Sequence, residues 1–325
     1  MGAKVIITTR FPQDARRRYQ AEADSEEWLN QLQVIGADFR FLAGVEEMCR
    51  MLCREEEYLD IIINNACQTI RRPAKYYAHL LEEAQPKLVD ADVGDSAALS
   101  QLAVLSEDKD VYDMALPLGK RDVHGQQLDL RSSNSWLLKL GEVETPELAE
   151  VFCINSLAPF IINSALKPLL ERSPNQDRYI VNVSAMEGKF YRYKQPTHPH
   201  TNMAKAALNM MTRTCAEDLA MSGIYMNSVD TGWINDENPL PTAQRIAESH
   251  DFQTPIDEID AAARILDPIL GVRSEVQRPQ KRGAMAGGGD GQPFWGWFFK
   301  DYAPTETWLK HNEKRFDRLK HLKSQ

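Results

Sequence analysis

Short apolar runs alternate along this chain with longer segments that have helical periodicity. The runs predict β-strands at 3–9, 37–42, 59–66, 178–184 and 224–230. The periodic segments predict helices at 13–32, 45–56, 147–171 and 202–222. Several of the strands are apolar at consecutive positions, which is typical of strands that are covered on both faces. This alternation predicts an α/β fold with a parallel sheet.

Three segments depart from the alternation and divide the chain. Residues 1–270 form the predicted α/β domain, and a polar, weakly periodic stretch at 83–146 reads as a surface insertion within it. A Gly-rich linker is predicted at 271–293, and an aromatic patch with a terminal helix at 294–325. The Gly-rich run lacks a lysine at the spacing of a phosphate-binding loop, so it is interpreted as a linker.

Charge and cysteine usage narrow the class of partner. The net charge of −9 and the pI near 5.4 argue against nucleic acid or an anionic membrane as a main partner, and favour small molecules. The five cysteines fit neither a disulfide framework nor a metal site, so reduced thiols and no metal are expected. No targeting segment or apolar spanning run is recognised, and a cytoplasmic location is therefore expected.

Five motifs, taken in order, resemble the short-chain dehydrogenase/reductase (SDR) family. They are "IIINNAC", "VFCINSLAPFIINSALKPLL", "RYIVNVSAMEG", "TNMAKAALNMMTR" and "MNSVDTGWI". The resemblance covers roughly residues 1–240. It implies a Rossmann-like, doubly wound parallel sheet and hydride transfer between a nicotinamide cofactor and a small carbonyl or alcohol substrate. It also implies a homodimer or homotetramer, paired through the helices at 147–171 and 202–222.

The resemblance assigns roles to the predicted catalytic residues. Lys205 matches the family's lysine, which lowers the pKa of a catalytic tyrosine one helical turn earlier and binds the nicotinamide ribose. Asn155 matches an asparagine that supports a proton path, and Ser184 lies at the strand end where a serine holds the substrate oxygen. Thr201 occupies the position of the tyrosine itself.

Four of the motifs also depart from the family pattern. An aliphatic hydroxyl at Thr201 is a much poorer proton donor than a phenol. The usual serine position is Ala185, with only Ser184 beside it, and Cys67 stands where the family has glycine. The Pro-Gly turn after the next strand reads Thr-Gly at 231–232.

The cofactor residues are also carried over from the resemblance. Arg10 lies where NADP-preferring members place a phosphate-binding arginine, so NADP(H) is expected rather than NAD(H). Asp38 lies where an aspartate contacts adenine, and Asn64, Asn65 and Ala66 line the adenosine path, with Lys205 at the ribose. Ordinary roles remain open for two of them, a solvated loop arginine at Arg10 and a strand-end charge at Asp38.

The family's first strand and Gly-rich turn have no counterpart in this sequence. "GAKVIITTR" resembles the family's second strand, so an N-terminal truncation is expected. The missing strand is central in the family's sheet. We therefore predict that the place between the strands at 3–9 and 59–66 is vacant, narrowed or filled by another segment. A regular first strand supplied by residues 1–10 would contradict this register.

The missing phenol leaves the chemistry and the function open. Tyr191, on the loop before the lysine helix, and His200, at the start of that helix, are candidates to replace it, although loop packing is the alternative for both. Three functions remain: an NADP(H)-dependent oxidoreductase with an altered proton relay, a non-catalytic family member that binds a ligand or partner, and an inactive fragment of a full-length reductase.

Overall fold

A computed structural model describes most of the chain. The described residues are 2–82, 117, 120–121, 127–190, 193–234, 237–240, 242–243, 245, 255–271, 287–289 and 292–305. Most of the predicted insertion at 83–146, most of the predicted linker and the predicted terminal helix lie outside these residues.

Nine strands and eight α-helices are present in the described residues. The strands are β1 (Val5–Thr9), β2 (Leu32–Gly36), β3 (Ile61–Asn64), β4 (Arg178–Ser184), β5 (Ile224–Asp230), β6 (Gly287–Gly289), β7 (Gln292–Trp295), β8 (Phe298–Lys300) and β9 (Ala303–Thr305). The helices are α1 (Pro12–Gln20), α2 (Ser25–Trp28), α3 (Leu42–Glu55), α4 (His79–Glu82), α5 (Thr145–Phe152), α6 (Ala158–Glu171), α7 (Pro199–Met221) and α8 (Glu258–Leu270).

The strands form a parallel sheet that is interrupted at one place. Strands β3, β4, β5 and β8 are parallel neighbours in that order, and β9 closes the far edge as an antiparallel strand. Strands β1 and β2 are a separate parallel pair. β1 is not hydrogen-bonded to β3 in the described residues, which agrees with the prediction that the place between them is vacant, narrowed or filled by another segment. The α/β fold with a parallel sheet and Rossmann-like connections is also confirmed.

Helices cover the sheet unequally. On one face, α3 and α6 pack together, and a single apolar core joins residues of β2, α3, β3, α6, β4 and α7. On the other face, α8 packs against β4, β5 and β8 through a second core that includes Tyr179, Val181, Val229 and Phe299. This second cover ends at β4, so β3 has no helix from the described residues on that face.

The second strand lies earlier than predicted. Residues 37–42 were predicted as a strand, but β2 ends at Gly36 and contains the buried Val34 and Ile35. The Asp38 carboxylate accepts the backbone N–H of Arg40, and the carbonyl of Asp38 accepts that of Phe41. A side chain that bonds the backbone two residues on favours a turn, which ends the strand.

The aromatic patch is part of the sheet rather than a separate unit. Strand β8 pairs with β5, and both Phe298 and Phe299 are fully buried. Part of the aromatic patch predicted at 294–325 therefore packs with the α/β sheet, because large aromatic side chains bury well against an open sheet face. Strand β6 also lies inside the stretch that was predicted as a linker.

One continuous helical run, Thr145–Glu171, is long and apolar enough by length and composition to cross a membrane. A one-turn π-helix, Cys153–Leu157, joins α5 to α6 within this run. Val151, Ile162 and Leu169 of the run are buried inside the protein. The core helix of a globular protein passes the same test, so this run is weak evidence for a membrane span.

Candidate active site

Lys205 and Ser184 meet at the carboxyl end of β4. Lys205, on α7, is buried, and its Nζ donates to the carbonyl of Val183 at 3.0 Å. Ser184, the next residue after Val183, is buried and its hydroxyl has no hydrogen-bond partner among the described residues. The bond to Val183 is likewise the only hydrogen bond of Lys205 in that part of the chain. An ammonium with spare N–H donors and an unbonded hydroxyl are therefore both buried at the end of this strand.

Thr201 lies one helical turn before Lys205, but its hydroxyl, unlike that of Ser184, has a hydrogen-bond partner. Its buried hydroxyl donates to the carbonyl of Thr69 at 3.1 Å, across to the loop that follows β3. This hydrogen bond fixes the loop against α7. The residue at the tyrosine position therefore has a structural contact that accounts for its hydroxyl.

Asn155 fixes the same loop from the other side. It lies in the π-helix, where its amide nitrogen donates to the carbonyls of Gln68 at 2.7 Å and Val151 at 2.8 Å. Its oxygen accepts the backbone N–H of Gln68 at 3.4 Å. The loop after β3 is thus held between Asn155 and Thr201.

A buried hydrogen-bonded network lies behind the site and was not predicted. Asn64 donates to Asn163 and Asn182, each at 2.8 Å, and Asn182 donates to Thr212 at 2.9 Å. Thr212 and Ser228 are hydrogen-bonded at 2.8 Å. Asn64 was predicted to line the adenosine path, but its amide is committed to this network. The sequence contains one indication of such a network, since polar residues such as Asn182 in "RYIVNVS" lie inside otherwise apolar strands.

The other residues predicted for the adenosine lie at the carboxyl ends of β1 and β3. Arg10 follows β1, and its guanidinium lies over the ring of Tyr77 at 4.3 Å and that of Phe11 at 5.4 Å. Asn65 and Ala66 are exposed directly after β3. Arg10, Asn65 and Ala66 are thus on the same edge as Ser184, where parallel sheets bind ligands.

Asp38 does not fit a contact to adenine. Its carboxylate is completely buried and binds Arg40 through Nε at 3.0 Å and Nη2 at 2.6 Å. Burial lowers the pKa of Arg40, but the hydrogen bonds and charge of Asp38 outweigh it and raise the pKa overall. Arg40 also approaches Glu150 at 3.7 Å. Asp38 would have to leave this pair to reach a ligand.

Of the two residues that were candidates to replace the phenol, the structure describes only His200. Tyr191 lies outside the described residues. His200 is buried near Glu147 and the backbone of Thr69, and neither ring nitrogen has a hydrogen-bond partner of good geometry among the described residues. Burial lowers the pKa of His200, so the neutral imidazole is favoured in the folded protein.

Two lysines that were not predicted secure the loops beside the site. Lys300 of β8 binds the carboxylate of Asp230 at 2.8 Å, and the other oxygen of Asp230 accepts the N–H of Gly232 at 2.9 Å. The buried Lys189 donates to the hydroxyl of Thr305 at 2.6 Å. The hairpin of β8 and β9 therefore holds the loops that follow both β4 and β5.

No three His, Cys, Asp or Glu side chains gather as a metal site in the described part of the chain. Burial raises the pKa of Cys49 to about 12, which keeps that thiol protonated and unsuited to metal binding. The site is therefore built from hydroxyl, amide and ammonium groups.

The parallel sheet and its helices define a Rossmann-like α/β protein, and a buried lysine and serine lie at the carboxyl end of its strands, where such sheets bind ligands. Residues 135–268 match a family model described as enoyl-(acyl carrier protein) reductase. This segment is similar to that family, in agreement with the resemblance of the sequence motifs to short-chain dehydrogenases/reductases.

Two relatives and one solved structure illustrate the similarity. An uncharacterized protein of Acanthamoeba polyphaga mimivirus is 29% identical over 287 residues, which are 83% of this chain and 58% of that protein. The L-xylo-3-hexulose reductase of Hypocrea jecorina is 34% identical over 103 residues, covering 31% of this chain and 32% of the reductase. The chain thus spans less than two thirds of these curated relatives. The Pseudomonas aeruginosa RhlG/NADP active-site complex has a TM-score of 0.48 at 19% identity, covering 81% of this chain and 78% of that one.

Proposed function

We propose that the chain is an oxidoreductase that transfers hydride between NADP(H) and a small carbonyl or alcohol substrate. The observation that carries the proposal is the pair of buried polar residues at the carboxyl end of β4: Lys205, whose Nζ makes one hydrogen bond in the described residues, and Ser184, whose hydroxyl makes none there. Burying such groups without partners costs on the order of 1–3 kcal/mol each, so a bound ligand that supplies the partners is favoured.

The residues present fit the nicotinamide end of the cofactor better than the adenine end. Lys205 has N–H donors for the ribose hydroxyls, and Ser184 has a hydroxyl for the substrate oxygen. The bound cofactor supplies the hydride. Arg10 is placed to attract a 2′-phosphate, which favours NADP(H), whereas Asp38 is held by Arg40. Because no phenol faces Lys205 in the described site, proton transfer to the substrate oxygen is slow, and low turnover is expected.

The test is titration of the chain with NADPH, followed by nucleotide fluorescence and by calorimetry. Lys205→Met removes the ribose donors and is expected to weaken binding on the order of tenfold or more. Lys167→Met is the matched control, because Lys167 lies on the exposed side of α6 and pairs only with Glu171 in the described part of the chain. Equal affinity of the two variants would contradict the assignment of Lys205.

A non-catalytic member that keeps the scaffold is the second candidate. The contact of the Thr201 hydroxyl with Thr69 favours it, because the tyrosine position then has a structural use. This candidate predicts no NADPH binding and no turnover with added carbonyl compounds. Binding by an N-terminally extended chain alone would instead favour a fragment of a longer reductase.

We also propose a homodimer through α6 and α7. Four apolar side chains are exposed here: Leu157 at the end of the π-helix, Phe160 near the start of α6, and Met203 and Met210 on α7. Phe160→Glu is expected to give a monomer in size-exclusion chromatography with light scattering, whereas Tyr193→Glu, in an exposed loop, is not. A monomeric wild-type chain would exclude the dimer.

A further inference from the structure

Three polar side chains lie side by side at the carboxyl ends of β4, β5 and β8. Ser184 is in register with Asp230, and Asp230 is in register with Lys300. Residues in register on parallel neighbours point to the same face of a sheet, and neighbouring strands lie about 4.8 Å apart. The side chains of Ser184, Asp230 and Lys300 therefore form one row along the edge where parallel sheets bind ligands.

This row is on the face of the sheet that α7 covers. Two residues earlier on β4 and β5, Asn182 and Ser228 each hydrogen-bond Thr212 of α7, at 2.9 and 2.8 Å. Side chains two residues apart on a strand point to the same face, so Ser184 and Asp230 also point towards α7. The same helix carries the buried lysine of the candidate active site.

The ammonium of Lys300 keeps donors that a ligand can use. It holds Asp230 through one contact, from Nζ to Oδ2 at 2.8 Å, and an ammonium has three N–H donors. The other oxygen of Asp230 accepts the N–H of Gly232 at 2.9 Å, so both carboxylate oxygens are bound within the protein. The side chain of Lys300 is 24% exposed and that of Asp230 is 6% exposed. A ligand can therefore reach Lys300 without displacing Asp230.

The charges of this part of the site favour a ligand with one negative charge. Lys205 donates to the carbonyl of Val183, the residue before Ser184, and Lys300 lies at the other end of the row. These two ammonium groups and the carboxylate of Asp230 leave one positive charge. A carboxylate on the ligand would balance this charge and accept charge-assisted hydrogen bonds from Lys300.

We propose that the substrate of this site is a short oxo acid or the corresponding hydroxy acid, with its carboxylate bound by Lys300. The buried hydroxyl of Ser184, which has no partner in the described residues, donates to the carbonyl oxygen of the same substrate. Because Ser184 and Asp230 occupy neighbouring strands, the two groups of the substrate lie close together, as in 2-oxo and 3-oxo acids. This inference rests on the proposed function, since it names the substrate class of that site.

The test compares three small carbonyl compounds that differ in charge. Acetoacetate carries one negative charge, acetoacetamide has nearly the same shape and none, and dihydroxyacetone phosphate carries a phosphate. Affinities for the full chain are measured by saturation-transfer NMR titration, with and without NADPH, so a failure of cofactor binding leaves the ligand measurement intact. Acetoacetate is expected to bind on the order of tenfold more tightly than the amide.

Variants of the row separate recognition of the carboxylate from support of the fold. Lys300→Met is expected to weaken acetoacetate binding on the order of tenfold and to leave acetoacetamide within about twofold, whereas a merely structural role would weaken both alike. Lys300→Arg keeps the charge and is expected to stay within about threefold of wild type for the acid. Lys167→Met, on the exposed side of α6, is the control and should keep the preference for the acid.

A double variant removes the charges without leaving one buried alone. Lys300→Met leaves the buried carboxylate of Asp230 without its cation, so Asp230→Asn with Lys300→Gln is measured beside it, since two amides can still hydrogen-bond each other. It is expected to lose the preference for the acid. An unchanged ratio of acid to amide affinity in this double variant would overturn the proposal. Equal affinity of the wild-type chain for acid and amide, no binding of either, or tighter binding of dihydroxyacetone phosphate would overturn it too.

Discussion

Strands β3 and β4 are neighbours in one sheet, but their corresponding residues lie in different surroundings. On β4, Tyr179 and Val181 are buried beneath α8, whereas their partners on β3, Ile61 and Ile63, are exposed. The covered half of the sheet carries Ser184 and faces Lys205. The uncovered half carries Arg10, Asn65 and Ala66. In the proposed function, the substrate would therefore bind beside a packed core, and the adenosine would bind beside strand edges that are more exposed.

This difference allows the two parts of the proposed function to be tested separately. The missing phenol concerns proton transfer on the covered side, while the exposed strands concern cofactor binding on the uncovered side. The four experiments below test the two sides separately.

The largest effect is expected from returning the phenol. Thr201→Tyr places a proton donor one turn before Lys205, and general acid catalysis contributes on the order of 100-fold or more to turnover. The assay is NADPH oxidation with a panel of carbonyl compounds. Thr201→Phe is the control, because it has a similar volume and no hydroxyl. If NADPH binds and the tyrosine variant remains no faster than the phenylalanine variant, the covered side is not a hydride-transfer site.

Two isoleucines on neighbouring strands measure the difference in packing. Ile180→Ala, on β4, removes a fully buried side chain and should lower the free energy of unfolding by about 3–4 kcal/mol. Ile63→Ala, on β3, removes one that is 39% exposed and should cost about 1 kcal/mol or less. Urea unfolding measures both. Similar losses in the two variants would mean that the open side is covered in solution.

Removing a side chain of the buried network should also cost more stability than removing an exposed side chain that follows β3. Asn182→Ala leaves Asn64 and Thr212 without a shared partner inside the protein, which should cost about 2–3 kcal/mol of unfolding free energy. Asn65→Ala, one residue beyond β3 and exposed, should change it by less than about 0.5 kcal/mol. A small loss at Asn182 would show that water satisfies the network once the side chain is removed.

The smallest effect concerns pH. Burial holds the pKa of His200 below its ordinary value, so the unfolded chain binds the proton more readily. Stability should therefore fall as the pH drops through the ordinary histidine range of about 6.5 towards the lower folded pKa. His200→Gln should reduce this fall without changing the stability at pH values above that range. Unfolding midpoints at several pH values, with His198→Gln for comparison, give the answer. An unchanged pH dependence in His200→Gln would mean that folding does not lower the pKa of this ring.

The apolar pattern predicted the middle of the sheet well. Strands β4 and β5 begin and end at the predicted residues, because each is a long apolar run that is buried on both faces. The helix of Thr201 and Lys205 and the vacancy beside β3 were also predicted. Strand β2 was misplaced because "ADFRFL" has a strand-like composition, while the Asp38 side chain turns the backbone there.

The sequence by itself determined the α/β class and the order of the motifs, since apolar periodicity and chain order are local properties. It also indicated that Lys205 is kept and the phenol is absent. The tertiary structure decided which polar groups are satisfied: Asn64 and Asn182 bond each other, Asp38 holds Arg40, Thr201 bonds Thr69, and Ser184 has no partner in the described residues. It also joined the aromatic segment at 298–300 to β5. Each of these outcomes depends on which distant segment lies opposite, and local patterns carry no information about that.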